Sequence, residues 1–266
     1  MDLAVNNLSL FFSAMLVVVA LIISTKEKLG FTKDIIISVI RAVIQLVAVG
    51  YLLKYVFQVN NLILTLIMVL VIVSNAAFNA KKRSQQLQKG FLISFIAIGC
   101  STGITIGILI FSGSIKFIPS QIIPISGMIA SNSMVAIGLC YRNLDTLFQN
   151  QRQAVMEKLA LGATIKLASL PIIQQSVKTG MAPTIDSAKT VGIVSLPGMM
   201  SGLIFAGVDP VHAIKYQIMV TFMLLSATSI GSVIATYLAY KGYYNQQKQL
   251  VCLLYTSPSP RDYAAS

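Results

Sequence analysis

The 266-residue chain is 56% hydrophobic and only 11% charged, with a formal net charge of +12. That balance excludes a water-soluble globular domain, since several apolar runs reach the roughly 20 residues that cross a bilayer core. Basic loops on one side of a membrane account for the charge better than nucleic acid does, so no nucleic-acid partner is expected.

Hydropathy and periodicity predict an all-α, polytopic membrane helical bundle of about seven transmembrane helices. The expected spans are 8–24, 35–57, 62–79, 91–112, 118–140, 185–207 and 213–240. The first run lacks a basic leader and a small-residue cleavage site, so it reads as a span and not a signal peptide. Loops one, three and five and the C-terminal end carry fifteen Lys and Arg, against three (Lys54, Lys116, Lys215) on the other side. The asymmetry predicts the N-terminus outside and the C-terminus inside.

In span two, Arg41 and Gln45 stand one turn apart, and Arg41, near the inner end, is expected to snorkel to the headgroups. Span four carries Gly99, Gly103 and Gly107 at a spacing that favours close helix packing within the chain. Pro119, Pro124, Gly127 and Asn132 interrupt 118–140, which fits either a broken span or a re-entrant segment with a shorter helix. Residues 141–184 read as a cytoplasmic loop. Within it Met156, Leu159, Ala160, Ala163, Leu167 and Leu170 recur at helical spacing. That pattern predicts a short amphipathic helix, lying on the membrane or entering a groove of a soluble partner.

Thr184 to Gly207 begins with Asp186 and Lys189 and is broken at Leu196-Pro197-Gly198. A helix there should kink or unwind. Broken backbone in a bilayer is buried in protein or lines a wet cavity, so Pro197, Gly198, Met199 and Met200 mark a candidate path. A proline kink that only shapes packing is the plain alternative. The final stretch, 252–266, resembles the translation of a sequencing-library adapter and is set apart from the transmembrane domain expected over 1–251.

Other chemistry is missing. There is no G-x-x-x-x-G-K-[ST] and no H-E-x-x-H, and the one histidine, His212, has no partners at metal-ligand spacing. Cys100, Cys140 and Cys252 are widely separated, and no acidic residue falls at mid-span. The relay carboxylates of a gradient-driven transporter are therefore not in evidence. A broken helix, a polar intramembrane lining and a docking helix without an energy source fit a permease subunit driven by a separate ATPase.

Three strings carry a family resemblance: DSAKTVGIVSLPGMMSGLIFAGVDPVHAIKYQIMVTFMLLS from Asp186, IPISGMIASNSM from Ile123 and EKLALGAT from Glu157. With them the chain resembles, from about Leu8 to Leu250, the FetB-type permeases of ABC transporters. The resemblance implies a homodimer in the inner (plasma) membrane, paired with FetA-type ABC ATPases. It implies no cofactor on this chain, with ATP entering through the partner, and export of iron or another metal ion. Plant relatives leave a nucleotide sugar open as cargo, and a gradient-driven secondary transporter is the rival of another class. Glu157, Leu159, Gly162 and Ala163 resemble the ATPase-docking loop of ABC permeases, although Glu157 stands five residues before the glycine instead of six.

The candidate translocation residues are Asn75, Asn79, Met128, Asn132, Met134, Pro197, Gly198, Met199 and Met200. Thioethers suit soft ions, so the residues alone do not demand iron, and no metal-ligand set is assigned. Each methionine has a packing role as its alternative, and Asn75 and Asn79 have capping or helix–helix hydrogen bonding. Asp186 and Lys189, three apart, are expected to form an ion pair that gates the path.

Overall fold

The computed structural model describes residues 12–59, 61–83, 87, 89–245, 247 and 249–251. The stretch 252–266 and the start of the first expected span lie outside the described residues. The rest is all-helical, with only isolated bridges and no strand among the described residues. The helices are α1 (Met15–Lys26), α2 (Thr32–Val59), α3 (Leu62–Lys81), α4 (Gly90–Phe111) and α5 (Pro119–Asn150). They continue with α6 (Arg152–Ala160), α7 (Ile165–Thr190), α8 (Gly198–Phe205) and α9 (Pro210–Ala239), closed by a 3-10 turn, Tyr240–Tyr243. Five of them (α2, α3, α4, α5 and α9) are long and apolar enough to cross a membrane, and α1 is a shorter apolar helix.

Local chemistry sets the helix starts. The Asn61 side chain accepts from the Ile63 N–H at 2.8 Å to begin α3, and Thr164 accepts from Leu167 to begin α7. Asp209 caps α9 ahead of Pro210, which sits at the first position where its missing N–H is harmless. The same placement at Pro119 starts α5, and Pro124, deeper in the first turns, bends no break into it. Residues 119–140 therefore lie in one uninterrupted helix, and neither the broken span nor the re-entrant alternative holds.

Helix α5 is the axis of the bundle, packed by α3, α4, α7 and α9. Residues 141–184, expected as a loop, are helical: α5 runs on to Asn150, and α7 climbs back along α5 and α9. The buried face of α7 is made of Ala168, Ser169, Ile172, Ile173, Ser176 and Gly180. Small and hydroxyl side chains let membrane helices approach and bond to one another. Across the bundle Ser94 bonds Tyr141 at 3.0 Å, and Ser133 bonds both Ser101 at 3.3 Å and the Ala227 carbonyl at 3.4 Å. Of the glycine stripe of α4, Gly99 faces α3, with Val73 3.9 Å from a Cβ placed there, but nothing lies within 4 Å of a Cβ on Gly103 or Gly107.

One end of the bundle gathers Lys82, Arg83, Leu87 and Lys89 between α3 and α4, the end of α5, the elbow at α6 and the closing turn. Tyr243 donates to the Asp145 carboxylate and stacks on Phe148 with centroids 4.3 Å apart, while Ser169 bonds Tyr244 at 2.6 Å. The opposite end holds a second apolar cluster that includes Ile106, Ile122, Ile125, Ile129, Val220 and Met223. Hairpin α1–α2 packs mainly on itself and leaves most of α2 exposed.

Candidate functional site

The predicted unwinding is present and wider than the Pro-Gly pair. Helix α7 stops at Thr190, whose carbonyl accepts from Ile193 (3.3 Å), Val194 (2.9 Å) and Ser195 (3.4 Å). Gly192 takes φ +86°, and Pro197 is extended before α8 resumes at Gly198. Gly192 in turn donates forward to the Ser195 carbonyl at 2.9 Å and closes the segment into a knot of turns, with Ile193 89% exposed.

Behind the break lies a cavity of about 380 Å³ between α5, α7, α8 and α9. Its polar lining is Ser131, Asn132, Thr184, Ser187, Gln217 and Thr221, and Met128 and Met199 bring thioethers to it. Pro197 and Gly198 form part of the wall, as does Pro183, whose missing N–H relieves the Thr179 carbonyl of its helical donor. Among the described residues, no Lys, Arg, Asp, Glu, His or aromatic side chain lines it. Asn132 ties its amide nitrogen to the Met128 carbonyl at 2.9 Å. Gln217 is 8% exposed and its Oε1 has no hydrogen-bond partner. A buried amide oxygen without a donor is costly and therefore worth explaining by function. Gln217 was missed in the sequence; its signal was a lone amide within an apolar span.

A second cavity of about 870 Å³ lies between α2, α3 and α5. It collects Asn75, Asn79 and Met134, so the candidate path residues divide between two spaces, with Ser131 on the wall of both. Met200 lines neither and is buried. Asn79 donates to the Asn75 side-chain oxygen at 2.8 Å and to its carbonyl at 2.9 Å, a bond within one helix.

The docking residues form an elbow. Glu157 is exposed and accepts from Gln153 at 3.0 Å, while Leu159 packs partly against the core. Gly162 and Ala163 end α6 by donating to the Leu159 and Lys158 carbonyls, both at 3.0 Å, with Gly162 at φ +86°. The predicted single amphipathic helix is thus two helices meeting at a glycine stop, with Met156, Leu161 and Leu167 exposed around it. Asp186 and Lys189 do pair, at 3.2 Å, with both side chains over two-thirds exposed. They sit near the end of α7, beside cavity residues Ser187 and Ala188 and not at the basic end as expected.

Residues 7–244 match the family described as Uncharacterised protein family (UPF0014). The chain belongs to the UPF0014 family. It is 60% identical over 247 residues to "Probable iron export permease protein FetB" of Escherichia coli K12, covering 93% of this chain and 95% of that protein. It is 35% identical to "UPF0014 membrane protein YjkA" of Bacillus subtilis, over 92% of this chain and 98% of that one. "Protein ALUMINUM SENSITIVE 3" of Arabidopsis thaliana is 32% identical, with 91% and 88% covered. No solved structure matches. With its apolar helices, this UPF0014 chain is a multi-pass membrane protein. Among the described residues, no three His, Cys, Asp or Glu side chains gather at a metal-binding distance.

Proposed function

We propose that the chain is the inner-membrane permease subunit of an ATP-driven exporter, with iron or a related metal ion as cargo and a separate ABC ATPase as its motor. The observation that carries this reading is the uncharged cavity at the α7–α8 break, with the orphan oxygen of Gln217 in its wall. Amide and hydroxyl oxygens with thioethers hold a cation weakly, which suits passage better than storage. The name of the Escherichia coli relative supports iron as the cargo. A nucleotide sugar would call for Arg or aromatic groups in this cavity, and a proton-driven carrier for a carboxylate, and neither type lines it.

The ATPase would dock on the α6–α7 elbow, where Leu161 is 88% exposed beside the Gly162 stop. With the basic end taken as cytoplasmic, the N-terminus lies outside and the C-terminus inside. A second copy would cover the α7–α8 face. Asp186 and Lys189 are exposed there beside a cavity shared with Asn132, about 20 Å along α5 from its first residue. A charged pair at that depth is expensive in lipid and calls for a protein neighbour.

Inside-out vesicles holding the chain and its purified ATPase provide the test. ATP-dependent uptake of ferrous iron that needs both proteins is expected. Uphill transport by the chain alone on an ion gradient would overturn the reading.

A further inference from the structure

The larger cavity, between α2, α3 and α5, has a different chemistry from the smaller one. Lys82, Arg83 and Arg142 stand at one end of it, and among the described residues no carboxylate lines it. None of the three forms an ion pair among the described residues. Lys82 lies with its Nζ 4.6 Å from the centre of the Phe78 ring. Arg83 reaches in across Gly138, where a Cβ would stand only 3.0 Å from Nη1 and 3.2 Å from Nε. The missing side chain at Gly138 is thus what admits the guanidinium. Asn75 and Asn79 follow, and apart from Ser131 the remaining wall is apolar, with Leu52, Leu53, Met68, Val71, Ile72 and Ile123.

Such a gradient fits an amphiphile with an anionic head. We propose that this cavity binds an anionic phospholipid, its phosphate held by Lys82, Arg83 and Arg142 and an acyl chain laid along α2 and α3. From Arg142 to Ile123 along α5 is about 28 Å, room for a headgroup and one leaflet's depth of chain. Cations clustered beside a membrane helix attract anionic headgroups, and Arg in particular matches phosphate geometry. Inorganic phosphate would use only the basic end and leave the apolar wall without an occupant. A phosphorylated nucleoside would gain from an aromatic face, and none lines the cavity. The site does not depend on which cargo the permease moves.

Native mass spectrometry of the full, delipidated chain tests this with phosphatidylglycerol, phosphatidylcholine of the same chains, and inorganic phosphate. Retention of phosphatidylglycerol at least about fivefold over phosphatidylcholine is expected. It should fall to the phosphatidylcholine level in the Lys82→Gln, Arg142→Gln double variant, whose substituted positions are both exposed and do not build the core. Gly138→Ala, which keeps all three charges but displaces Arg83, should weaken retention as well. Equal retention of the two lipids by the unaltered chain overturns the proposal, whatever the variants do. So does unchanged selectivity in the double variant, or displacement of the lipid by millimolar phosphate, which would mark a free-phosphate site.

Discussion

Gly180 on α7 lies directly against Cys140 on α5. A Cβ at Gly180 would meet the cysteine sulfur first and the Ala136 carbonyl oxygen at 2.8 Å. The contact holds α7, and with it the broken segment, against the axis of the bundle. We predict that Gly180→Val forces the helices apart and destabilises the protein by about 1–3 kcal/mol, as overpacking does. Gly103→Ala and Gly107→Ala, with open space at the new Cβ, should instead be neutral or stabilise by up to about 1 kcal/mol through helix propensity. Thermal unfolding in detergent, followed by circular dichroism, separates the two outcomes; an equal loss at Gly103 would count against this packing.

The basic end should respond to loss of a single hydroxyl. Tyr243 is buried and donates to Asp145, fastening the turn after α9 to the end of α5. Tyr243→Phe removes that donor while keeping the ring stacked on Phe148. We predict a loss of about 1–3 kcal/mol, the usual range for a hydrogen bond to a charged group, here a half-buried carboxylate. Faster amide exchange at 240–244, with exchange across Met219–Leu225 unchanged, would locate the effect. No change in either segment would mean that the bond adds nothing.

Gln217 offers the opposite trade. Its amide oxygen has no donor, so Gln217→Leu removes a buried polar group that contributes little to folding. We predict unchanged or raised thermal stability together with ATP-dependent transport reduced by a few-fold to about tenfold, the equivalent of about 1 kcal/mol for one amide-oxygen contact with the cation. Transport at the unaltered rate would remove Gln217 from the path.

Much of this was legible before the fold was seen. Six of the expected spans lie along α1, α2, α3, α4, α5 and α9, and Pro197-Gly198 marked the unwound segment. Helix α7 was not legible as a bundle helix. It buries Ser169, Ser176 and Gly180 against its neighbours and keeps Lys178 and Lys189, so it never reads as apolar enough. The division of the site was legible in principle. At about 100° per residue, Asn132 and Met134 point about 200° apart on one helix, so they could not face a single cavity. Met128 and Asn132, four apart, do share one. Nothing local told that α2 and α3 would close a second space on the other side of Ser131.

For Asp186 and Lys189 the stability and transport effects should part company. Both are exposed, and an exposed pair contributes about 0–1 kcal/mol. Lys189→Asp alone should hardly move the melting temperature in detergent. In vesicles it should impair ATP-driven export, and adding Asp186→Lys should restore it. A single variant that transports normally would leave the pair without a gating role.

Gly162 separates backbone strain from docking. With φ +86° and nothing within 4 Å of a Cβ there, a larger residue meets conformational cost and no clash. We predict that Gly162→Val costs about 1–3 kcal/mol, while Gly162→Asn, which tolerates the left-handed region, costs less. If the α6–α7 elbow is where the ATPase sits, Gly162→Val should also lower ATPase co-purification, and Gly162→Asn should keep most of it because the turn survives. Leu161→Glu provides the complementary measurement: its side chain is 88% exposed, so folding should be untouched while co-purification falls. Full recovery of the ATPase with Leu161→Glu would move the docking surface off this elbow.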